Sequence, residues 1–365
     1  MEWAPQIRAP RTGSDSPAHH RRVATLAAEL ARRLRVNASN PRGLEATRLW
    51  EVAEAFVTRI EAFPPEPGRL DQILDEMNWL AQQGRLDPAA TAALARLACV
   101  RMEDLLATVH RLPVFPAVAV RVLGVAGSDE ASFEEIQRLV SSDQVLAGRI
   151  IEAANSSLLS PARPISTIPQ ALSYIGLERT RRVLLAHVFR PLYKAGGLEP
   201  LWRHSIQMAI ATERLASLSK LAPPEEAFLA GLMHDIGRLA LRRMGGAEAE
   251  LYARLCQSGS DAVFAELILC GFDHGLAGAE ILRGWAFPAH LVESVQRHHA
   301  PLGCRQPLAW LVYVAEGMAD PDGQEAPACE ETLRAAFERL GLDGSQCAPR
   351  QEPESALLAH LLEAA

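Results

Sequence analysis

Apolar residues recur along most of this chain at helical spacing. Val23, Leu26, Leu30 and Leu34 form an i, i+3/i+4 stripe, and similar stretches run through about 43–62, 69–83 and 88–107. Pro64-Pro65 and Gly84 separate them. Pro113 and Pro116 stand too close together for a helix interior, so Leu112 to Pro116 marks a linker or an opening turn. Ser132-Phe133-Glu134-Glu135 then reads as a capping box ahead of Ile136, Leu139 and Val140. A second helix start at Ser142-Asp143 leads into Val145, Leu146, Ile150, Ile151 and Ala154, and Thr167 is expected to cap a short helix that Gly176 ends. Helices are predicted near 177–192, 200–218, 224–242, 247–256, 261–269, 275–285, 288–299 and 305–318. No stretch alternates long enough to read as a strand. The expectation is an all-α, multi-helix bundle preceded by a smaller helical domain.

That pattern divides the chain into four parts. Residues 1–17 form a proline-containing leader, 18–105 a helical amino-terminal domain, 106–303 the main body, and 304–365 carboxy-terminal helices with an acidic tail rich in Pro and Gly. The tail holds one amphipathic piece (Leu333, Phe337, Leu340) and a last short helix over Ala356 to Leu362.

Composition narrows the function classes. Of the 365 residues 48% are hydrophobic and 22% charged, which excludes a disordered or fibrous chain. Aromatics are only 5%, so the core is built from aliphatic residues. A net charge of −7 gives no reason to expect nucleic-acid binding. Met1 to Pro5 lack a signal-peptide pattern, and no apolar run reaches the ~18–20 residues of a membrane span. Six scattered cysteines form no disulfide framework. A cytoplasmic protein with reduced thiols is expected.

Chemistry concentrates in the histidines, seven of which fall between His187 and His299. His234-Asp235 sits in an expected helix that is apolar on nearly every side (Phe228, Leu229, Leu232, Met233, Ile236, Leu239). A carboxylate buried there needs a cation or strong donor. A metal ion with His234 as a further ligand satisfies both residues; a pairing of Asp235 with Arg238 satisfies the carboxylate alone. Further candidate ligands are His204, His274, His298 and His299, together with Glu316 in the apolar stretch Leu311 to Ala315. Imidazoles and carboxylates arriving from separate helices suit a mono- or dinuclear centre of iron, manganese or zinc. Arg179, Arg181 and Arg182 form a cluster read as a solvated face, or as a contact for phosphate or an acidic partner.

The series His204-Ser205, His234-Asp235, His274, His298-His299 and a later carboxylate resembles the ligand order of the HD superfamily of phosphohydrolases. More closely, residues 106–303 resemble an HDOD domain, the HD-related output domain of bacterial signalling proteins. The marks run in order: Leu112 to Pro116, Ala154-Asn155-Ser156, Ala171 to Leu177, Ala227 to Gly237, Gly271 to His274, Trp285 to Pro288 and His298-His299. The resemblance implies an all-α fold and a signal-transduction role as an output or scaffold module, with a signalling protein or a second copy as partner. Related HD-GYP domains hydrolyse cyclic di-GMP, but this chain departs from them. Ala300-Pro301-Leu302-Gly303 replaces the Gly-Tyr-Pro signature, Arg238 stands in place of a lysine, and Glu316 in place of an aspartate.

The alternative is a metal-dependent phosphohydrolase acting on a nucleotide or cyclic dinucleotide. In it His204, His234, Asp235 and Glu316 hold one ion. His274, His298 and His299 hold another, bridged through Asp235, and Arg238 steadies a phosphate. In the amino-terminal region, His20 to Ala27 resembles the first helix of an HD-type domain, with Val52-Ala53-Glu54 where its His-Asp pair would stand. An unrelated helical interaction domain is the other reading there.

Overall fold

The computed structural model describes residues 17–35, 44–62, 68–97, 132–156, 159–194, 198–241, 246–258, 261–319 and 330–343, with Val122 and Gly124. Among them the regular elements are helices and none is a strand: α1 (Pro17–Leu34), α2 (Leu44–Glu61), α3 (Arg69–Gln82), α4 (Pro88–Ala95), α5 (Phe133–Ser141), α6 (Gln144–Ala154), α7 (Ile168–Ile175), α8 (Leu177–Tyr193), α9 (Glu199–Ser219), α10 (Pro224–Met233), α11 (Arg238–Leu241), α12 (Gly246–Gln257), α13 (Ala262–Cys270), α14 (His274–Gly284), α15 (Ala289–Arg297), α16 (Pro307–Ala319) and α17 (Glu330–Leu340). The protein is all-α, as its periodicity predicts. No single described helix is long and apolar enough to cross a membrane. The expected leader, the Leu112–Pro116 turn and the helix over Ala356–Leu362 lie outside the described residues.

The chain forms two compact units. The first comprises Met1–Thr108, Ala240–Ala277 and Asp322–Ala328. Its α1 packs on α2, α4 and α12. Val23, Leu26 and Leu30 are fully buried, so the predicted stripe of α1 faces the core together with Val52, Phe56, Met77 and Leu94. Polar contacts pin α1 to the segment that returns much later in the chain. Arg22 donates from Nε to Asp261 at 2.7 Å, and Thr25 Oγ1 donates to the Ser258 carbonyl at 3.2 Å.

The second unit comprises Val109–Leu239, Gly278–Pro321 and Cys329–Ala365. In it α5, α6 and α7 pack together, α6 and α7 also pack on α8, and α9 packs on α8, α10 and α16. Local chemistry starts and stops these helices. Ser132 and Glu135 form the reciprocal capping box, with Glu135 N on Ser132 Oγ at 3.2 Å and Ser132 N on Glu135 Oε2 at 2.8 Å. Asp143 caps α6 by accepting from Val145 N and Leu146 N. Gly176 ends α7 at a φ of 86°, which a side chain would resist.

Three expectations change. Thr167 precedes α7 but makes no side-chain cap, since Pro169 at the second helical position removes one of the N–H groups it would serve. The Arg cluster is not a solvated face: Arg181 is buried and paired with Glu178, while Arg182 holds Glu213. The helix expected over 224–242 stops at Met233, and His234 to Gly237 form a tight turn. Bonds three residues apart close it, from Ile236 N to Met233 O and from Arg238 N to Asp235 O, both at 3.0 Å.

Candidate metal centre

The centre of the second unit is built around the close approach of α9 and α10. Every residue from Ala227 to Met233 is buried, as expected for a helix apolar on all sides. Gly231 sits where a Cβ would fall 2.6 Å from the Met208 carbonyl oxygen and 2.7 Å from Thr212 Oγ1. Only a glycine lets the two backbones come so near. The turn that follows α10 then places His234 and Asp235 against His204 of α9 and Glu316 of α16.

Four acceptor atoms converge there. His204 Nε2 lies 3.2 Å from His234 Nε2, 3.3 Å from Glu316 Oε2 and 3.8 Å from Asp235 Oδ2. His234 Nε2 lies 3.4 Å from Glu316 Oε2 and 3.6 Å from Asp235 Oδ2. Donor atoms about 2.0–2.2 Å from a common tetrahedral ion would stand about 3.3–3.6 Å apart; these five separations run from 3.2 to 3.8 Å. The tautomer of His234 fits as well. Its Nδ1–H donates to the Gly231 carbonyl at 2.7 Å, leaving the Nε2 lone pair aimed at the cluster. Glu316 Oε2 is buried and receives no hydrogen bond of good geometry. Two carboxylate oxygens and an imidazole lone pair brought this close need a cation among them. The residues present therefore fit a divalent metal ion, and imidazole with carboxylate suits iron, manganese or zinc.

Electrostatics within the cluster favour positive charge there. Burial alone would lower the His204 imidazole, yet Glu316 and Asp235 outweigh it and raise its pKa. Burial would raise the Glu316 carboxyl, but the imidazoles of His204 and His234 hold it well below the usual carboxylate range. Asp235 turns Oδ2 to the histidines, and its Oδ1 lies 3.0 Å from Arg238 Nε.

The remaining candidates are His274, His298 and His299. His298 and His299 follow α15 in the same unit; the His298 ring stands edge-on to His234, with centroids 5.3 Å apart, and its Nδ1–H donates to the Val295 carbonyl at 2.6 Å. His274 belongs to the first unit, at the start of α14, where its Nδ1 and its backbone N both lie 2.8 Å from Glu266 Oε2. Glu266 is the functional candidate that the sequence reading passed over. Its signal was the one that singled out Glu316, a lone carboxylate in an apolar run, here Ala262 to Cys270. The neighbouring Asp273 caps the next turn through Leu276 N, and burial pushes its carboxyl up to about 6.

The HDOD domain family matches residues 112–301, more than half of the chain. The chain belongs to the HDOD family. Solved structures agree on the fold. A Marinobacter aquaeolei VT8 protein provisionally named for signal transduction superposes with a TM-score of 0.60 at 22% identity, over 79% of this chain and 65% of that one. This HDOD chain thus spans about two thirds of that relative's length. A provisionally assigned phosphohydrolase from Shewanella amazonensis SB2B gives 0.55 at 24% identity, over 71% of this chain and 98% of its own. An HDOD domain protein of unknown function from Geobacter sulfurreducens gives 0.55 at 23%, over 72% and 97%. No curated protein sequence matches the chain.

Proposed function

We propose that this HDOD protein is a cytoplasmic bacterial signalling module that works through protein contact, with a metal ion bracing its helices. One observation carries the reading: His204, His234 and Asp235 gather their ligand atoms in one place, and Glu316 Oε2 lies 3.3 and 3.4 Å from the two imidazoles. A zinc site closed by four protein ligands is structural, whereas a catalytic site keeps a position open for water or substrate. Three of the four side chains are buried, and His204 is exposed to 24%. The groove of about 540 Å³ lined by Arg163, Pro164, Ile165, Pro169, Ser173 and Tyr174 contains none of these residues. Trp50 and Trp79 are 40% and 54% exposed, and tryptophan at a surface favours protein recognition. A signalling protein or a second copy of the chain is the expected partner.

The test is elemental analysis of the protein purified without air, beside an assay of phosphate-ester and cyclic-dinucleotide hydrolysis. The expected result is bound iron, manganese or zinc in the wild type, loss of it in His234→Ala with Asp235→Ala, and no metal-dependent turnover. Turnover that disappears in the double variant would overturn the scaffold reading in favour of a phosphohydrolase. Unchanged metal content in that variant would remove the ligand assignment.

A further inference from the structure

α7 turns an uncharged face to solvent. Ala171, Leu172 and Ile175 are buried, while Pro169, Gln170, Ser173 and Tyr174 lie on the outer face at i and i+4 spacing. Of the whole chain 22% is charged, yet no charged residue stands between Pro164 and Leu177. A helix face that serves only to meet water ordinarily carries charge. Tyr174 is 44% exposed. This face and the loop before it line the groove of about 540 Å³, with Arg163, Pro164 and Ile165 on the loop side. All of these side chains but Ile165 are exposed, so the groove lies open along the surface, whereas a small-molecule site encloses most of its ligand.

The rim is held in place before anything binds. The Asn155 side chain pairs with the Ile165 backbone: Nδ2 donates to the Ile165 carbonyl at 2.7 Å, and Ile165 N donates to Asn155 Oδ1 at 2.8 Å. The Tyr174 hydroxyl donates to the Leu159 carbonyl at 2.9 Å, which fixes the ring while much of it stays exposed. A surface ordered in advance loses little entropy when a partner arrives. Among the described residues Arg163 makes no ion pair or hydrogen bond, and no carboxylate lines the groove. A guanidinium so placed can take a carboxylate through two parallel hydrogen bonds, and the prolines and the Tyr174 ring offer contact to apolar side chains. We infer that this groove docks an extended acidic segment of a partner protein, its carboxylate on Arg163 and its flanking apolar residues on Pro164, Pro169 and Tyr174. A nucleic acid would need a row of cations where this lining has one. The inference rests on the protein-contact reading above and names the chemistry of the partner.

The test selects phage-displayed random peptides on the immobilised full chain and measures synthetic copies of those selected by fluorescence anisotropy. The selected peptides are expected to carry Asp or Glu beside Pro, Leu or an aromatic residue. Arg163→Glu sets like charges face to face and should weaken binding by about tenfold or more. Ser173→Trp fills the groove and should abolish binding. Both positions are exposed, so neither change disturbs the core. Selected peptides with no acid in common overturn the inference, as does binding indifferent to Arg163→Glu or to Ser173→Trp. Wild-type chains that self-associate in sedimentation, and cease to in Arg163→Glu, would assign the groove to a second copy and overturn it as well. Metal-dependent turnover in the earlier assay would sink the module reading and leave the peptide result standing, so the two failures are distinct.

Discussion

His19 and His234 are both buried histidines beside carboxylates, and their ring nitrogens put them in different states. His19 Nδ1 lies 2.7 Å from Glu61 Oε2 and its Nε2 lies 3.0 Å from Glu54 Oε1, an arrangement that favours the imidazolium, which donates from both nitrogens. His234 donates one N–H to a backbone carbonyl and turns its other ring nitrogen to the cluster of His204, Asp235 and Glu316. Burial alone would lower the His19 pKa, but Glu61 and Glu54 raise it above 6.5. A raised histidine contributes its stability fully below the unfolded value of 6.5 and loses it as pH climbs through the folded value. The wild-type melting temperature should therefore fall between about pH 6 and about pH 9 more steeply than that of His19→Gln. At about pH 6 the variant should be less stable by about 1.5–3 kcal/mol, the range for hydrogen bonds to charged groups. A parallel pH dependence in the two proteins would show that His19 is not charged in the fold. Little of this was legible beforehand. Two histidines stand side by side, and only the rotation of about 100° per helical residue decides that His19 is buried while His20 is exposed.

α10 shows what helical periodicity can and cannot say. Its all-round apolar character was plain, but the glycine in its middle, a residue that costs a helix about 1 kcal/mol against Ala, was not singled out. The close contact with Met208 that explains Gly231 became visible only once α9 lay against it. Gly231→Ala should cost about 1–3 kcal/mol by overpacking, despite the better helix propensity of alanine. Chemical denaturation would check it, and a stabilised variant would mean the two helices can separate at no cost. The break after Met233 was hidden, because Ile236 and Leu239 continue the apolar pattern straight through it. At the other extreme stands the capping box of α5, readable from Ser132 and Glu135 because both partners are three residues apart. Ser132→Ala should lower stability by about 1 kcal/mol, measurable by the same denaturation experiment.

For the whole molecule, the proposed ion binds the native state only, so free metal at 100 times its dissociation constant should add about 2.7 kcal/mol of stability. Calorimetry with and without chelator would read this as a drop in melting temperature, and the drop should vanish in His234→Ala with Asp235→Ala. An equal loss in both proteins would mean the chelator acts elsewhere. The sequence by itself determined the all-α class, most helix positions, the caps at Ser132 and Asp143, and the histidines and carboxylates worth following. Those depend on residues within a few positions of one another, on helical period, or on the rule that a buried charge needs a counter-charge. Only the tertiary structure decided that 240–277 folds with the first hundred residues, and that Glu316 meets His204 more than a hundred positions away. It alone assigned the two oxygens of Asp235, one to the ligand cluster and one to Arg238. Such choices turn on the direction in which a side chain points after helices pack, and direction is a property of the folded chain.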